Sequence, residues 1–236
     1  MGKRHLKRIS APRTWPIPRK TGGKFIIKPL PGGQVLEHTL PLGVILRDIL
    51  KKANTRKEVK RILHERLVEV DCRTRRRIEH PVGLFDTIRM PTIKEAYRVI
   101  LDKHGKLGLI EIPLEEAEKK IVRINVKKHI HRGDIQLGLS DGRTMIIKKE
   151  DKDKYKVGDS LLIKLPSQEV LDHYKPEKDS WVYIFRGKHA GKIGILQEIE
   201  EGLIILRVDE EEIRTRKDYG IVISHPGQEP VIRLVE

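Results

Sequence analysis

The sequence predicts an α+β fold that is mostly β, divided into small modules in place of one deep core. Three observations lead there. The chain has 236 residues, more than the roughly 150 that one domain usually takes. Hydrophobic residues make up 38% but aromatics only 4%, so the cores are aliphatic, which suits small modules. In the second half, short β-like stretches recur about every ten residues between Gly- and Asp-containing turns, the spacing of a small sandwich or barrel.

Residues 1–40 contain Pro12, Pro16, Pro18, Pro29 and Pro31 with the pairs Gly22-Gly23 and Gly32-Gly33. Proline fixes φ and donates no hydrogen bond, so neither a helix nor a central strand is sustained here. The segment is predicted to be a basic extended arm whose Leu6, Ile9, Trp15, Phe25 and Ile26 pack when bound. With no core element in it, deletion of residues 1–20 is expected to leave stability nearly unchanged.

From Leu42 the pattern becomes helical, with Leu42, Ile45, Leu46, Ile49 and Leu50 on one stripe. Thr55 and Glu58 have the spacing of a capping box, and Val59, Ile62 and Leu63 line one side of the helix that follows. At roughly 100° per residue, Arg56, Lys57, Lys60 and Arg61 fall on the side opposite Val59 and Ile62. Residues 67–72 read as a strand, 73–77 as a strongly basic turn carrying Arg73, Arg75, Arg76 and Arg77, and 78 onward as a returning strand that stops near Pro81. Alternation at Tyr97, Val99 and Leu101, then at Leu107, Leu109 and Glu111, marks a hairpin around 102–105.

A helical turn or two at 113–118 precedes strands at 121–130, 135–139, 144–148 and 161–165, separated by turns at 132–134, 141–142 and 157–159. After Lys175-Pro176, strands at 181–185, 193–199, 203–208, 212–216 and 219–223 give the size and strand count of an SH3-like barrel. No repeat of fixed period is present. The predicted organisation is an arm (1–40), a helix-hairpin module with its following hairpin (41–110), a central β domain (111–176) and a C-terminal barrel (177–236).

Lys and Arg number 49 against 34 Asp and Glu, a formal net charge of +15. That excess points to a polyanionic partner, nucleic acid first and an anionic membrane surface second. It amounts to +8 over residues 1–40, +6 over 41–120, +4 over 121–176 and −3 over 177–236, so the N-terminal half supplies the long-range attraction. The single cysteine, Cys72, excludes an internal disulfide and suits a reducing compartment. No apolar region follows the basic N-terminus, which argues against secretion, and no uncharged run reaches the roughly 18 residues of a membrane span.

Leu46-Arg-Asp-Ile-Leu50, the cations from Arg56 to Arg61, Val68-Glu-Val-Asp71 and the basic turn resemble the RNA-binding module shared by bacterial ribosomal protein four, some pseudouridine synthases and tyrosyl-tRNA synthetases. The resemblance implies a rigid wedge whose guanidinium and ammonium groups straddle phosphates. The stretch from Val182 to Leu196 resembles the KOW motif of ribosomal proteins and elongation factors. There Gly187, Gly191 and Gly194 permit a tight backbone path, and Lys188, His189 and Lys192 are displayed between two strands. A phosphate-binding P-loop is excluded, because Ile193 stands where Ser or Thr is required.

Lys3-Arg-His-Leu-Lys-Arg8 with Ala11-Pro12, Pro41-Leu-Gly-Val-Ile-Leu-Arg47, Tyr155-Lys-Val-Gly-Asp159 and the KOW stretch are together similar to small-subunit ribosomal protein four of the archaeal and eukaryotic type. The similarity runs along essentially the whole chain and is nearer the archaeal members, since the long basic C-terminal extension of eukaryotic ones is lacking. It implies a non-catalytic constituent of the small ribosomal subunit in the cytoplasm. Small-subunit ribosomal RNA and neighbouring small-subunit proteins are the implied partners, with no cofactor, small-molecule substrate or membrane. The RNA contacts expected are Lys3, Arg4, Lys7, Arg8, Arg13, Arg19 and Lys20 of the arm, the helix and turn cations above, and Gly187, Lys188, His189, Gly191 and Lys192. Two other classes compete. An RNA-modifying enzyme or synthetase needs a catalytic domain of its own, and a KOW-type transcription or translation factor is expected to carry a polymerase-binding domain ahead of the KOW segment.

Catalytic and metal readings are weak. The ten histidines are scattered, and only His129 and His131 share a strand face, without a Cys pair or carboxylate at ligand spacing. Glu115-Glu116 and the acids at 209–212 read as solvated ion-pair networks, in keeping with 35% charged residues. Cys72 reads as a small buried hydrophobe.

Overall fold

The structure, a computed structural model, describes residues 5–130, 133–148, 153–208 and 211–234. The chain divides into two units, Met1–Ile100 with Lys106–Glu118 and Leu101–Gly105 with Lys119–Glu236.

In the first unit, β1 (Leu6–Lys7) and β2 (Phe25–Ile26) pair antiparallel, with Leu6 opposite Ile26 and Lys7 opposite Phe25. The loop between them is packed, not extended, which corrects the arm reading. Trp15 is only 2% exposed. A Pro- and Gly-rich backbone has no ladder to satisfy its carbonyls, and two arginine forks take that part. Arg8, 5% exposed, donates to the carbonyls of Pro18, Gly22 and Gly23 at 3.2, 2.8 and 3.2 Å. Arg19 donates to those of Ile9, Ala11 and Pro12 at 3.1, 3.0 and 2.7 Å.

β3 (Thr39–Pro41) leads into α1 (Leu42–Val44), which widens into a π-turn over Ile45–Ile49 where the Leu50 N–H reaches the Ile45 carbonyl. Leu42, Val44, Ile45 and Leu46 are fully buried. α2 (Arg56–His64) opens with the expected capping box: Thr55 Oγ1 accepts from the Glu58 N–H at 3.2 Å, and Glu58 Oε2 accepts from the Thr55 N–H at 3.4 Å. Val59 and Leu63 are buried and Ile62 is half-buried, so the helix faces the way its period predicts.

The strands that follow depart from the sequence reading. β4 (Glu69–Val70) turns at Asp71-Cys72, both with left-handed φ of 52° and 58°, into β5 (Arg73–Thr74). Two left-handed residues are what a two-residue hairpin turn requires, so the chain reverses before the basic stretch and not through it. Residues 78–80 form no returning strand. The carbonyls of Ile78 and His80 instead accept the Gly43 and Leu42 N–H groups at 2.9 Å each, satisfying donors that the start of α1 leaves open. β6 (Pro81–Gly83) pairs with β3. β7 (Thr87–Met90), β8 (Glu95–Leu101) and β9 (Leu107–Glu111) complete a five-stranded sheet of order β5-β4-β7-β8-β9.

His80 gives this unit a pH dependence. Burial first, and then the charge of nearby Arg75, lower its imidazole from 6.5 to about 4, with Asp71 opposing. Protonation is therefore disfavoured in the fold. The stabilising contribution is complete above the unfolded value of 6.5 and is lost as pH falls from 6.5 through about 4. Denaturant titrations at pH 7 and pH 4.5 are expected to show a smaller acid loss for His80→Asn than for the parent, and equal losses would contradict the assignment.

The second unit holds two antiparallel five-stranded sheets. In the first, β10 (Lys119–His129), β11 (Ile135–Leu139), β12 (Thr144–Ile147), β13 (Ser160–Lys164) and β14 (Val170–Tyr174) take the order β12-β11-β10-β13-β14. Lys120 is buried against Asp141 at 3.2 Å, and Arg143 reaches the same carboxylate at 3.0 Å. In the second, β15 (Trp181–Ile184), β16 (Ile193–Glu200), β17 (Leu203–Val208), β18 (Glu211–Arg216) and β19 (Gly220–Val222) take the order β18-β17-β16-β15-β19. Closing the set on its own first strand places β15 between β16 and β19, and its Tyr183 hydroxyl donates to the Leu101 carbonyl at 3.0 Å and accepts the Leu101 N–H at 2.8 Å.

Candidate nucleic-acid interface

α2 is the clearest cationic surface. Val59 and Leu63 are buried while Arg56, Lys57, Lys60 and Arg61 are exposed, and the capping box fixes where the helix begins. Arg61 Nε lies 2.9 Å from Glu65 in an exposed pair one turn apart, and the hydrogen bond holds its guanidinium above the usual range. Exposed pairs of this kind are weak, so Arg61 is available to a stronger anion. Arg56 Nη2 lies 3.5 Å from Glu79, which brings the start of α2 beside the basic stretch. There Arg73, Arg76 and Arg77 are exposed and Arg75 is half-buried.

At the N-terminus the predicted cations divide. Lys7, Arg13 and Lys20 are exposed, whereas Arg8 and Arg19 hold backbone carbonyls, so the structure gives those two an internal role. Lys3 and Arg4 lie outside the described residues. Sequence reasoning missed Lys24, whose ammonium sits 5.7 Å from the centroid of the exposed Phe25 ring. The available signal was the outward position of Phe25 opposite Lys7 once the two short strands pair.

In the C-terminal loop, Gly187 and Lys188 are exposed and His189 and Lys192 are half-buried. The loop is closed by the Gly191 N–H on the Ile184 carbonyl at 2.7 Å and the Lys192 N–H on the His189 carbonyl at 3.2 Å. Gly191 has φ +90°, and a Cβ on it would meet the Asp102 carbonyl oxygen at 1.9 Å. Its missing side chain therefore admits the chain's own backbone.

Among the described residues, no group of three His, Cys, Asp or Glu side chains is placed to hold a metal, and no helix is long and apolar enough to cross a membrane. His129 is exposed, His131 lies outside the described residues, and so do Asp209 and Glu210. Glu116 is paired with the buried Arg98. Burial pushes the Cys72 thiol up, against the opposing charge of Arg89, so it stays protonated and is a poor nucleophile.

Fold and surface together define a basic, modular, mostly antiparallel β protein whose chemical equipment is exposed cations on fixed backbone. Two family descriptions match it: the RS4NT (NUC023) domain at residues 1–33 and the ribosomal family S4e at residues 93–170. Small ribosomal subunit protein eS4 of Methanocaldococcus jannaschii is 41% identical over 98% of both chains. The protein of that name from Methanocella arvoryzae is 40% identical over 93% of this chain and 94% of its own. The crystal structure of 30S ribosomal protein S4e from Thermoplasma acidophilum matches with a TM-score of 0.70 at 32% identity, covering 80% of this chain and 96% of that one. The chain belongs to the ribosomal S4e family.

Proposed function

We propose that the chain is a structural constituent of the small ribosomal subunit that holds ribosomal RNA through phosphate contacts, without turnover. Its place is then the cytoplasmic ribosome. The observation that carries the reading is the four-cation face of α2, exposed and rigidly anchored. Exposed Lys7, Arg13 and Lys20, the basic stretch at 73–77, and Lys188 with Lys192 of the C-terminal loop extend it. Residues 41–110 act as the helix-hairpin RNA module, 111–176 as a central β domain, and 177–236 as an SH3-like barrel bearing the KOW loop. The exposed Glu198, Glu200, Glu211 and Glu212 of that last part repel phosphate and suit basic neighbouring ribosomal proteins.

If roughly eight phosphates are neutralised, log affinity for small-subunit ribosomal RNA falls against log salt with a slope of about −6 or steeper. Replacing Arg56, Lys57, Lys60 and Arg61 together by Gln keeps helix propensity and the buried side. That variant is expected to retain the parent's unfolding transition while losing affinity and flattening the salt slope by about 3 units. A parent slope near zero, or an unchanged slope in the variant, would remove the phosphate reading of this helix.

A further inference from the structure

We propose that Phe25 is a stacking platform for an unpaired base of RNA, an assignment that rests on the RNA-binding reading above. The ring is 52% exposed on β2, where a phenyl group facing water gains nothing from the fold. Its strand neighbour Ile26 is buried, so the ribbon has a packed side and an outward side, and the outward side carries Phe25 directly opposite Lys7. Lys24 Nζ sits 5.7 Å from the ring centroid, and the His5 ring is tilted against it at a centroid distance of 5.6 Å. An exposed aromatic ring with a lysine ammonium against it is what a nucleotide needs, with the base on the ring and its phosphate on the lysine. The ribbon is also held in place before any ligand arrives, because the guanidinium of Arg8, the residue after β1, ties that strand to the carbonyls of Pro18, Gly22 and Gly23. A paired base hides its face inside the duplex, so the ligand is an unpaired nucleotide in a loop, bulge or end. The cations around the ring, and the +8 charge of residues 1–40, disfavour a basic protein neighbour as the occupant.

The test uses the full chain and protein-free small-subunit ribosomal RNA, with Phe25→Ala, Phe25→Leu and Phe25→Trp. Alanine and leucine are each expected to weaken binding about tenfold with the salt slope and the thermal transition unchanged. Tryptophan is expected to keep the parent's affinity, and its added emission over the parent's Trp15 and Trp181 is expected to be quenched at saturating RNA. Full affinity in the leucine variant would mean an apolar contact or none, and unquenched emission in the tryptophan variant would mean that no base meets the ring. Either result overturns the stacking site while a steep salt slope leaves the phosphate reading standing. A flat slope in the parent overturns both.

Discussion

Gly191→Val is expected to destabilise the second unit by about 3–5 kcal/mol, among the largest effects a single substitution produces. Two independent causes add. At φ +90° a β-branched residue is strained by about 1–3 kcal/mol. The new Cβ would also stand 1.9 Å from the Asp102 carbonyl oxygen, 2.6 Å from its carbon and 3.1 Å from the Leu101 carbonyl oxygen. These are backbone atoms, so no rotamer change clears them. The 101–105 segment has to move, and the paired hydrogen bonds between Leu101 and the buried Tyr183 hydroxyl, each about 1 kcal/mol net, move with it. Lys188→Gln/Lys192→Gln in the same loop is expected to stay within about 0.5 kcal/mol of the parent, as surface substitutions usually do. Chemical denaturation of the three proteins side by side decides the matter. If the valine and parent proteins unfold together, the close approach of Asp102 to Gly191 is wrong.

The contrast within that loop shows what the sequence made legible. Exposed cations on a regular element are readable, because period and capping place them: Thr55 and Glu58 marked the start of α2, and Val59 with Leu63 fixed its buried side. Strands beside Gly-containing turns were equally readable, and the alternating Ile135–Leu139 and the apolar run Leu203–Val208 lie where the pattern put them. β14 was missed because Val170–Tyr174 is an outer strand of its sheet in which polar Asp172 and His173 interrupt any alternation. The turn at Asp71-Cys72 was missed because neither residue advertises a left-handed φ as glycine does. Arginine is the harder lesson. A guanidinium on phosphate and one on backbone carbonyls use the same five donors, so Arg8 and Arg76 look alike in sequence. Only the fold shows that the first is enclosed and the second exposed.

Trp15→Ala is expected to lower the stability of the first unit by about 3–5 kcal/mol, the usual cost of truncating a buried tryptophan. The proline argument was sound for secondary structure, since the described residues up to 40 form only three-residue 3-10 turns at Arg8–Ser10 and Leu36–His38 and strands of two or three residues. It did not extend to packing, because prolines restrict φ without preventing a side chain from being buried. Trp15 is 2% exposed, Ile17 and Ile26 are buried with it in the same unit, and the Thr14 carbonyl next to it accepts the Leu107 N–H at 2.7 Å. The arm thus contributes to the core of the unit and to a hydrogen bond with β9. Deleting residues 1–20 removes Trp15 together with both arginine forks, so its effect should exceed that of Trp15→Ala, reversing the expectation of a dispensable tail. Lys20→Gln, on an exposed residue of the same loop, should be nearly neutral. Calorimetry on the four proteins resolves this: a truncated chain melting at the parent's temperature would mean that the loop is not held by its own packing.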